Sequence, residues 1–315
     1  LFRVGSGLDN VEAMSAGMHA QIIAARPWSW TAAVVPIILT GVLLKKESGI
    51  SLLSYDFGAA LAIGVLVQAA ANLTNSYLDW KKGVDKKETA GDRAIVDGLI
   101  TPVNAILVSV ICYGISILLA FPYLVKHGAS VKWIFAAGML LSFFYTANPF
   151  SLKYLCLGDV AIFLAFGPLL MGFTSVLLAG DLRTSVLPYT LPVGLLTEAI
   201  LHANNMRDIK SDTRAGIYTL ASVVGFGPAK VLYALMVFGA FLVALAMAVT
   251  HSLGCALVLP ALPLGVRNIA DLQPHSPKMK NMDERTAQLH LLYGALLIAG
   301  VAGSDRLDAL LGTAH

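Results

Sequence analysis

Residues 56–80 read DFGAALAIGVLVQAAANLTNSYLDW, an apolar run that ends in amides and a carboxylate. The run is long enough to span the hydrocarbon core of a bilayer. Asn72, Asn75 and Asp79 are spaced i, i+3 and i+7, which places the three side chains on one face of a helix. Polar side chains on so apolar a helix require an explanation, and other parts of the sequence provide it.

A second polar stripe, ILHANNMRDIKSD, follows at 200–212. Asp208 and Asp212 are four residues apart, like Asn75 and Asp79, and Asn204 lies one helical turn before Asp208. Each stripe leads into a basic segment that also contains Asp: KKGVDKKETAGDRAIVD at 81–97 and RDIKSDTRAG at 207–216, both read as loops. The recurrence predicts a pseudo-repeated helix set with a site between the repeats.

The composition is that of a polytopic membrane protein. The chain is 57% hydrophobic and 13% charged, with a mean hydropathy of +0.73, whereas soluble domains average about 25% charged residues. A net charge of +3 is too small to indicate a nucleic-acid partner. The three scattered cysteines show no spacing typical of a disulfide framework or a zinc site.

The predicted fold class is all-α, with about nine transmembrane helices in a domain at 26–303, a cytosolic lead-in at 1–25 and a tail at 304–315. Apolar runs long enough to span are 28–44, 58–79, 103–125, 131–148, 155–179, 187–206, 228–250, 252–270 and 287–303. Eight or ten spans stay open as alternatives. The first and last runs are short, and Pro260 and Pro263 predict a broken eighth helix.

The distribution of cations predicts the orientation. With nine spans, six of the 22 Lys and Arg residues fall on the side opposite the N-terminus, and the other 16 share the N-terminal side with both stripes. The six are Lys45, Lys46, Lys126, Lys132, Arg183 and Arg306. The positive-inside rule therefore places the N-terminus and the stripes in the cytosol, although cations that serve a ligand would inflate the larger count.

The two stripes have the chemistry of a magnesium site. Their ligands are hard oxygens without His or Cys, and Mg²⁺ binds through one or two carboxylates together with substrate phosphates. The cations that would meet a diphosphate are Lys82, Lys86, Lys87, Arg93, Arg207 and Arg214. The alternative is that Asn and Asp simply cap solvated helix ends. Two stripes with matching spacing and adjacent cations favour a Mg²⁺–diphosphate site.

The same residues resemble a known family. The segments NLTNSYLDWKKGVDK (72–86), GDRAIVD (91–97) and NNMRDIKSDTRAGIYTLA (204–221) are similar to the two aspartate-rich motifs of the UbiA superfamily of intramembrane aromatic prenyltransferases. ARPWSW (25–30), YTANPFSLKYLCLGD (145–159) and FGPLL (166–170) support the match, which spans roughly 25–300. The nearest resemblance is to the animal members that make menaquinone-4.

The resemblance implies nine helices around a central cavity and a site that binds Mg²⁺ and an isoprenyl diphosphate. It assigns the metal ligands Asn75, Asp79, Asp208 and Asp212. The residues expected to bind substrate are Arg93, Lys153, Asn204, Asn205, Arg207 and Tyr145. One feature departs from the family: no Asp directly follows Asn75, and Asp85 and Asp92 are the candidates for a further carboxylate.

The implied reaction joins an isoprenyl chain, as in geranylgeranyl diphosphate, to a quinol such as menadiol. Other quinone-pathway acceptors, 1,4-dihydroxy-2-naphthoate or 4-hydroxybenzoate, stay open. The resemblance also implies an endoplasmic reticulum or Golgi membrane in a eukaryote, and HMG-CoA reductase as a sterol-dependent partner. A transporter is an alternative, but it would more typically show Gly- or Pro-broken helices at matching positions in both halves.

Some further residues have two readings. Glu198 and His202 lie inside the sixth span, where ionisable side chains are functional candidates; they could orient Asn205 or help to deprotonate the ring. Arg26 could reach the diphosphate, or it could belong with Trp28 and Trp30 to an interfacial anchor. Phe143, Phe144 and Tyr145 could face a carbocation through their rings, although aromatics in such spans usually serve packing.

Overall fold

The computed structural model describes residues 25–83 and 94–311, with side chains up to Ser304. Within these residues the chain is all-α, as predicted, and the one β-bridge joins Leu155 to Tyr218. The long helical segments are α1 (Pro27–Ser48), α2 (Tyr55–Lys81), α3 (Pro102–Lys126), α4 (Gly128–Phe144), α5 (Gly158–Ala179), α6 (Thr184–Ala215), α7 (Phe226–Thr250), α8 (Leu253–Asp271) and α9 (Pro277–Ser304, in a helix that continues to Leu311). Eight are long and apolar enough to cross a membrane, and α4 is apolar but shorter.

Local sequence signals set several helix ends. The Ser54 hydroxyl accepts a hydrogen bond from the backbone N–H of Phe57 at the start of α2. Thr101 does the same for Asn104, with Pro102 in the first turn of α3. Gly216, with a φ of 70°, ends α6 in the left-handed conformation that suits glycine. These caps satisfy backbone groups that the helices leave unpaired.

The first and last spans were expected to be short, but they have 22 and 28 residues. Two other predicted boundaries were wrong in ways that matter for the site. The sixth span was expected to end at residue 206, but α6 continues to Ala215, so 207–215 is helical and not a loop. No Gly or Pro interrupts that stretch before Gly216. The fourth span was expected to reach residue 148, but α4 ends at Phe144. Pro149 disfavours helix at the residue before it, and the chain turns through a 3₁₀ segment, Leu152–Tyr154.

The broken eighth helix is confirmed. A 3₁₀ stretch, Leu253–Ala261, contains Pro260 and gives way to an α-helix, Leu262–Asp271. A second irregularity was not predicted: α5 contains a π-helical segment, Ala165–Leu169, around Pro168. Proline has no backbone N–H to continue the regular ladder, which accounts for the change of winding there.

Helices α5 and α6 approach each other closely through glycines. A Cβ on Gly167 would lie 2.8 Å from the carbonyl oxygen of Thr190, and one on Gly194 would lie 2.9 Å from the Phe163 ring. Small residues allow this approach in membrane proteins, where close packing drives helix association. The contact brings the polar residues of α6 next to those at the start of α5.

Other helices turn apolar faces outward. Of the 18 consecutive residues that are most apolar in each helix, only 22% are buried in α3 and 39% in α7. Large exposed side chains on these two helices include Val103, Leu107, Leu118, Val125, Leu242 and Val249. Lipid tails are as apolar as these side chains, so such faces carry no penalty in a bilayer. The chain is an integral membrane protein.

Contacts between segments define two ends of the helix bundle. At one end, Lys153 contacts Asp79, Arg207 contacts Asp283, and the Leu155–Tyr218 bridge forms. Contacts at the other end join Lys46 to Ser304, Arg183 to Glu47 and Tyr123 to Asp56. The segments that follow α2, α4, α6 and α8 therefore share one end, which is the arrangement that the cation count assumed.

This arrangement yields a topology prediction. In a protein with its native cysteines replaced, Thr213→Cys should react with a membrane-impermeant thiol reagent from the cytosolic side, because Thr213 is exposed at the stripe end of α6. Lys126→Cys, exposed at the opposite end, should react only from the other side or after permeabilisation. Labelling of both variants from one side of sealed vesicles would contradict the nine-helix topology.

Candidate active site

The first stripe lies in the last turns of α2 and is held from the segment after α4. Asn75 and Asp79 are buried. The Lys153 ammonium donates to Oδ2 of Asp79 at 2.8 Å and lies 3.5 Å from Oδ1 of Asn75. The hydroxyl of Tyr154 donates to the other Asp79 oxygen. The Thr146 hydroxyl donates to Oδ1 of Asn75 at 2.9 Å, which orients that oxygen. The predicted pair and its predicted cation are thus brought together.

The second stripe is organised by Arg207. Its guanidinium donates two hydrogen bonds of 2.8 Å to the carboxylate of Asp208, a planar fork that arginine makes well. It also lies 3.0 Å from Asp283 at the start of α9 and donates to the Asn204 amide oxygen. Asn205 is buried, and its Oδ1 has no hydrogen-bond partner among the described residues. Arg207 therefore positions this stripe as well as offering charge to a ligand.

The two stripes meet around Asp212. Its carboxylate is buried and interacts electrostatically with Lys153 and Arg207 and with the carboxylates of Asp79 and Asp208. Residues on the distant helices α2 and α6 therefore act on one another at the same end of the bundle. Three carboxylates held near one another carry excess negative charge, which a divalent cation would relieve.

A cavity extends from this end between the helices. Its polar mouth is lined by Arg26, Asn72, Asn75, Lys153, Asn204 and Arg207. Asp79 and Asp208 lie one helical turn beyond Asn75 and Asn204, toward the helix ends. The inner wall is apolar and includes Ile63, Val67, Phe135, Met139, Phe166, Leu170 and Phe173. The space between these residues amounts to about 1570 Å³ when the open solvent at its mouth is included.

A second lysine adds positive charge at the mouth. The Lys82 ammonium lies 3.9 Å from the centroid of the Tyr154 ring and 3.4 Å from the Thr146 carbonyl oxygen. Burial lowers the pKa of Lys82; the Asp79 carboxylate opposes this decrease, and the charge of Lys153 adds to it. An anionic ligand beside Lys82 would favour its charged form. The predicted cations Lys86, Lys87 and Arg93, and the carboxylates Asp85 and Asp92, lie outside the described residues.

The structure changes the choice of cavity aromatics. Phe143 and Phe144 pack edge to face, Phe144 also packs on Phe150, and neither Phe143 nor Phe144 lines the cavity. Tyr145 does line it, as predicted, together with Trp28, Phe135, Phe166 and Phe173. Phe143 and Phe144 are the last two residues of α4, and Tyr145 follows the end of the helix. Tyr145 can therefore face the cavity while its two neighbours pack elsewhere. Arg26 also lines the cavity mouth, which favours a contact with the diphosphate over a role as an interfacial anchor.

Sequence reasoning missed four residues of the site. Thr146 and Tyr154 position Asn75 and Asp79, Asp283 holds Arg207, and Asp159 belongs to a buried cluster with Glu198 and His202. Three of them lie in the segment YTANPFSLKYLCLGD, which was noted only for its family resemblance. No spacing rule marks side chains that approach a stripe from a different helix.

The arrangement suits a hard cation and an anionic, partly apolar substrate. The candidate ligands Asn75, Asp79, Asp208 and Asp212 offer only oxygen, the ligand type that Mg²⁺ prefers. Lys82, Lys153 and Arg207 are cations that can donate charge-assisted hydrogen bonds to phosphate oxygens. The apolar wall behind them can hold a hydrocarbon chain away from water. The site therefore combines the elements required to ionise a long-chain diphosphate inside a membrane.

Comparison with known proteins gives the same result. The profile of the UbiA prenyltransferase family matches residues 34–303. UbiA prenyltransferase domain-containing protein 1 from Gallus gallus is 34% identical over 285 residues, which cover 90% of this chain and 84% of that protein. Its homolog from Drosophila melanogaster is 34% identical over 299 residues, with 92% and 81% covered.

Solved structures share the fold at low sequence identity. A UbiA homolog from Archaeoglobus fulgidus bound to GPP and Mg²⁺ has a TM-score of 0.61 at 14% identity and covers 89% of this chain and 99% of its own. The apo structure of a UbiA homolog from Aeropyrum pernix K1 has a TM-score of 0.66 at 16% identity, with 85% and 97% covered.

Proposed function

Because this chain belongs to the UbiA prenyltransferase family, we propose that it transfers an isoprenyl chain from its diphosphate to an aromatic quinol within the membrane. The observation that supports this most is the position of the stripes at an apolar cavity: Asn75, Lys153 and Arg207 line its mouth. Asp79 and Asp208 are hydrogen-bonded to those two cations, and Asp212 interacts with both of them. A polar, anion-binding mouth and an apolar interior match the two parts of an isoprenyl diphosphate.

Mg²⁺ is the proposed cofactor. Two structural neighbours from Archaeoglobus fulgidus are described as bound to GPP and Mg²⁺ and to DMAPP and Mg²⁺. In this chain Asn75 and Asp79 would hold it on one side, and Asp208 and Asp212 on the other. When bound, it would stabilise the charge that develops on the leaving diphosphate.

The chain's own cations bind and orient the diphosphate. Lys153 and Lys82 approach from the α2 side, and Arg207 and Arg26 line the other parts of the mouth. Arg93 is proposed for the same role, although it lies outside the described residues. Fixed donors aimed at developing charge lower the barrier without reorganising during the reaction. Asn204 and Asn205 offer amide groups beside these cations.

The apolar wall protects the reactive intermediate. The allylic C–O bond breaks with its electron pair on the diphosphate oxygen, which leaves a delocalised carbocation. Water must be excluded until a ring carbon of the quinol attacks with a π pair. The rings of Phe135, Phe166 and Phe173 line this part of the cavity and can stabilise a cation through their faces. The ring then loses a proton and regains aromaticity.

The proposed substrates are geranylgeranyl diphosphate and menadiol, in menaquinone-4 formation. The resemblance of the motifs to the menaquinone-forming animal members supports this choice, and the inner wall of the cavity is apolar, as a hydrocarbon chain requires. 1,4-Dihydroxy-2-naphthoate and 4-hydroxybenzoate are the alternative acceptors. The proposed setting is an endoplasmic reticulum or Golgi membrane with the active-site end in the cytosol. A sterol-dependent interaction with HMG-CoA reductase stays a prediction from the resemblance.

Product formation tests this proposal. Purified protein in lipid nanodiscs, given geranylgeranyl diphosphate and menadiol, should yield the mass of the prenylated quinol with Mg²⁺ and none after chelation with EDTA. Parallel reactions with the two alternative acceptors compare the three aromatic substrates by the amount of product formed. No product from any of the three acceptors would contradict a prenyltransferase function, and uptake of substrate by proteoliposomes without product would favour a transporter.

A further inference from the structure

A second cluster of ionisable side chains lies behind the cavity wall. Asp159 sits at the start of α5, and Glu198 and His202 are one turn apart on α6. All three are buried, with 5%, 3% and 0% of their surface exposed, and one ligand atom of each lies within 4.8 Å of the others. The close approach of α5 and α6 at Gly167 and Gly194 brings the three groups together.

The hydrogen bonds of this cluster define where its protons lie. Nε2 of His202 is 3.0 Å from the carbonyl oxygen of Ala229, which can only accept, so Nε2 carries a hydrogen. Nδ1 is 2.6 Å from Oδ1 of Asp159, and two acceptors cannot make this contact without a proton between them. Among the described residues, no N–H or hydroxyl group donates to Oδ2 of Asp159 or to either oxygen of Glu198.

The cluster is built to exchange a proton and not to hold a metal. Both ring nitrogens of His202 are already hydrogen-bonded, which leaves no lone pair for a metal ion. Among the described residues no Lys or Arg forms an ion pair with Asp159 or Glu198. Two buried carboxyl groups this close to each other disfavour double ionisation, so the pair can hold one proton. A buried carboxyl pair of this kind can take up a proton and release it.

Tyr145 links this cluster to the cavity. It lines the cavity, its hydroxyl is buried, and that hydroxyl has no hydrogen-bond partner among the described residues. Its ring packs on Gly158, the residue before Asp159: a Cβ added there would lie 3.6 Å from the Tyr145 oxygen. Burial raises the pKa of the Tyr145 phenol, and the nearby carboxylates of Glu198 and Asp159 raise it further. The phenol therefore stays protonated, and it lies on the cavity wall beside the cluster.

The proposed reaction must deliver a proton somewhere. When the ring carbon bonds to the isoprenyl carbon, the electron pair of the ring C–H bond returns to the ring, and the proton leaves in an apolar cavity. We propose that Tyr145 passes this proton to the Asp159–Glu198 pair: its oxygen takes the ring proton as its own proton moves to a carboxylate oxygen. His202 is a positioning residue that holds Asp159. The inference rests on the proposed function and deepens it.

The test uses Tyr145→Phe and Glu198→Gln, which remove the relay hydroxyl and a carboxylate with little change of shape. With geranylgeranyl diphosphate, Mg²⁺ and menadiol, product formation should fall about 10²–10⁴-fold, the usual contribution of general acid–base catalysis. Menadiol deuterated at the alkylated ring position should react more slowly than the protonated form in both variants, because proton removal becomes rate-limiting.

Tyr233→Phe is the matched control. It removes a buried hydroxyl that hydrogen-bonds to Thr286 at 2.8 Å, away from the cavity, and should leave both turnover and the isotope effect unchanged. Wild-type turnover in Tyr145→Phe and Glu198→Gln overturns the inference, as does slow turnover without an isotope effect. If Glu198→Gln does not fold, Tyr145→Phe decides alone. Wild-type protein that forms no product overturns the proposed function, and this inference with it.

Discussion

Asp79→Asn and Asp208→Asn should each lower the rate of prenyl transfer by at least about 10²–10³-fold, the loss typical of removing one preorganised electrostatic contact to the transition state. Each variant removes one proposed metal ligand, from opposite sides of the proposed site. Thermal stability should fall less than in the corresponding alanine variants, because an Asn side chain still accepts hydrogen bonds where the carboxylate did. Initial rates with geranylgeranyl diphosphate and menadiol at saturating Mg²⁺ measure the effect.

The contacts of the two carboxylates are the reason to replace them with amides and not with alanine. Lys153 is buried against Asp79, and removal of one partner of a buried ion pair costs about 3–5 kcal/mol of stability. An Asn side chain still accepts a hydrogen bond from Lys153. Asp181→Asn, an exposed carboxylate at the other end of the bundle, is the control and should keep full activity. Near wild-type rates in Asp79→Asn or Asp208→Asn would show that the metal-ligand assignment is wrong.

Lys153→Met should weaken binding of the isoprenyl diphosphate by about 10- to 150-fold, since hydrogen bonds to charged groups contribute about 1.5–3 kcal/mol each. Methionine keeps much of the side-chain length but removes the charge. Titration of geranylgeranyl diphosphate against each protein measures the change. Arg93 carries the same expectation from the sequence.

Lys210→Met is the matched control for Lys153→Met. Lys210 is exposed near the end of α6 that carries the second stripe, and it does not line the cavity. Its ammonium lies 3.2 Å from Nδ1 of His275. Its replacement should leave the affinity unchanged. If Lys153→Met binds as tightly as wild type, the diphosphate must lie closer to Lys82 and Arg207 than the proposed site has it.

Helical periodicity was sufficient to predict the two stripes. Asn75 with Asp79, and Asp208 with Asp212, follow from the four-residue spacing, and the apolar runs predicted the all-α membrane fold. Helix ends were harder to predict from the sequence. The polar composition of 207–215 resembles that of a loop, but the segment contains no Gly or Pro, and the helix continues through it. Hydropathy alone does not distinguish these two outcomes.

Contacts between distant segments could not be predicted from spacing. Lys153 was expected from the family motif, but nothing in the local sequence shows that Tyr154 would reach the same carboxylate. Asp159 meets Glu198 and His202 only because two glycines allow α5 and α6 to pack closely. The cavity aromatics likewise depend on where α4 ends, which separates Tyr145 from Phe143 and Phe144.

The two stripes are proposed to form a single metal–diphosphate site, so binding of the metal should need ligands from both. Mn²⁺, detected by electron paramagnetic resonance as a substitute for Mg²⁺, tests it directly when bound in the presence of a non-hydrolysable geranylgeranyl diphosphate analogue. Wild-type protein should bind Mn²⁺ with the analogue, and Asp79→Asn and Asp208→Asn should each lose that binding. Retention of the wild-type signal by either variant would mean that the stripes do not share one site.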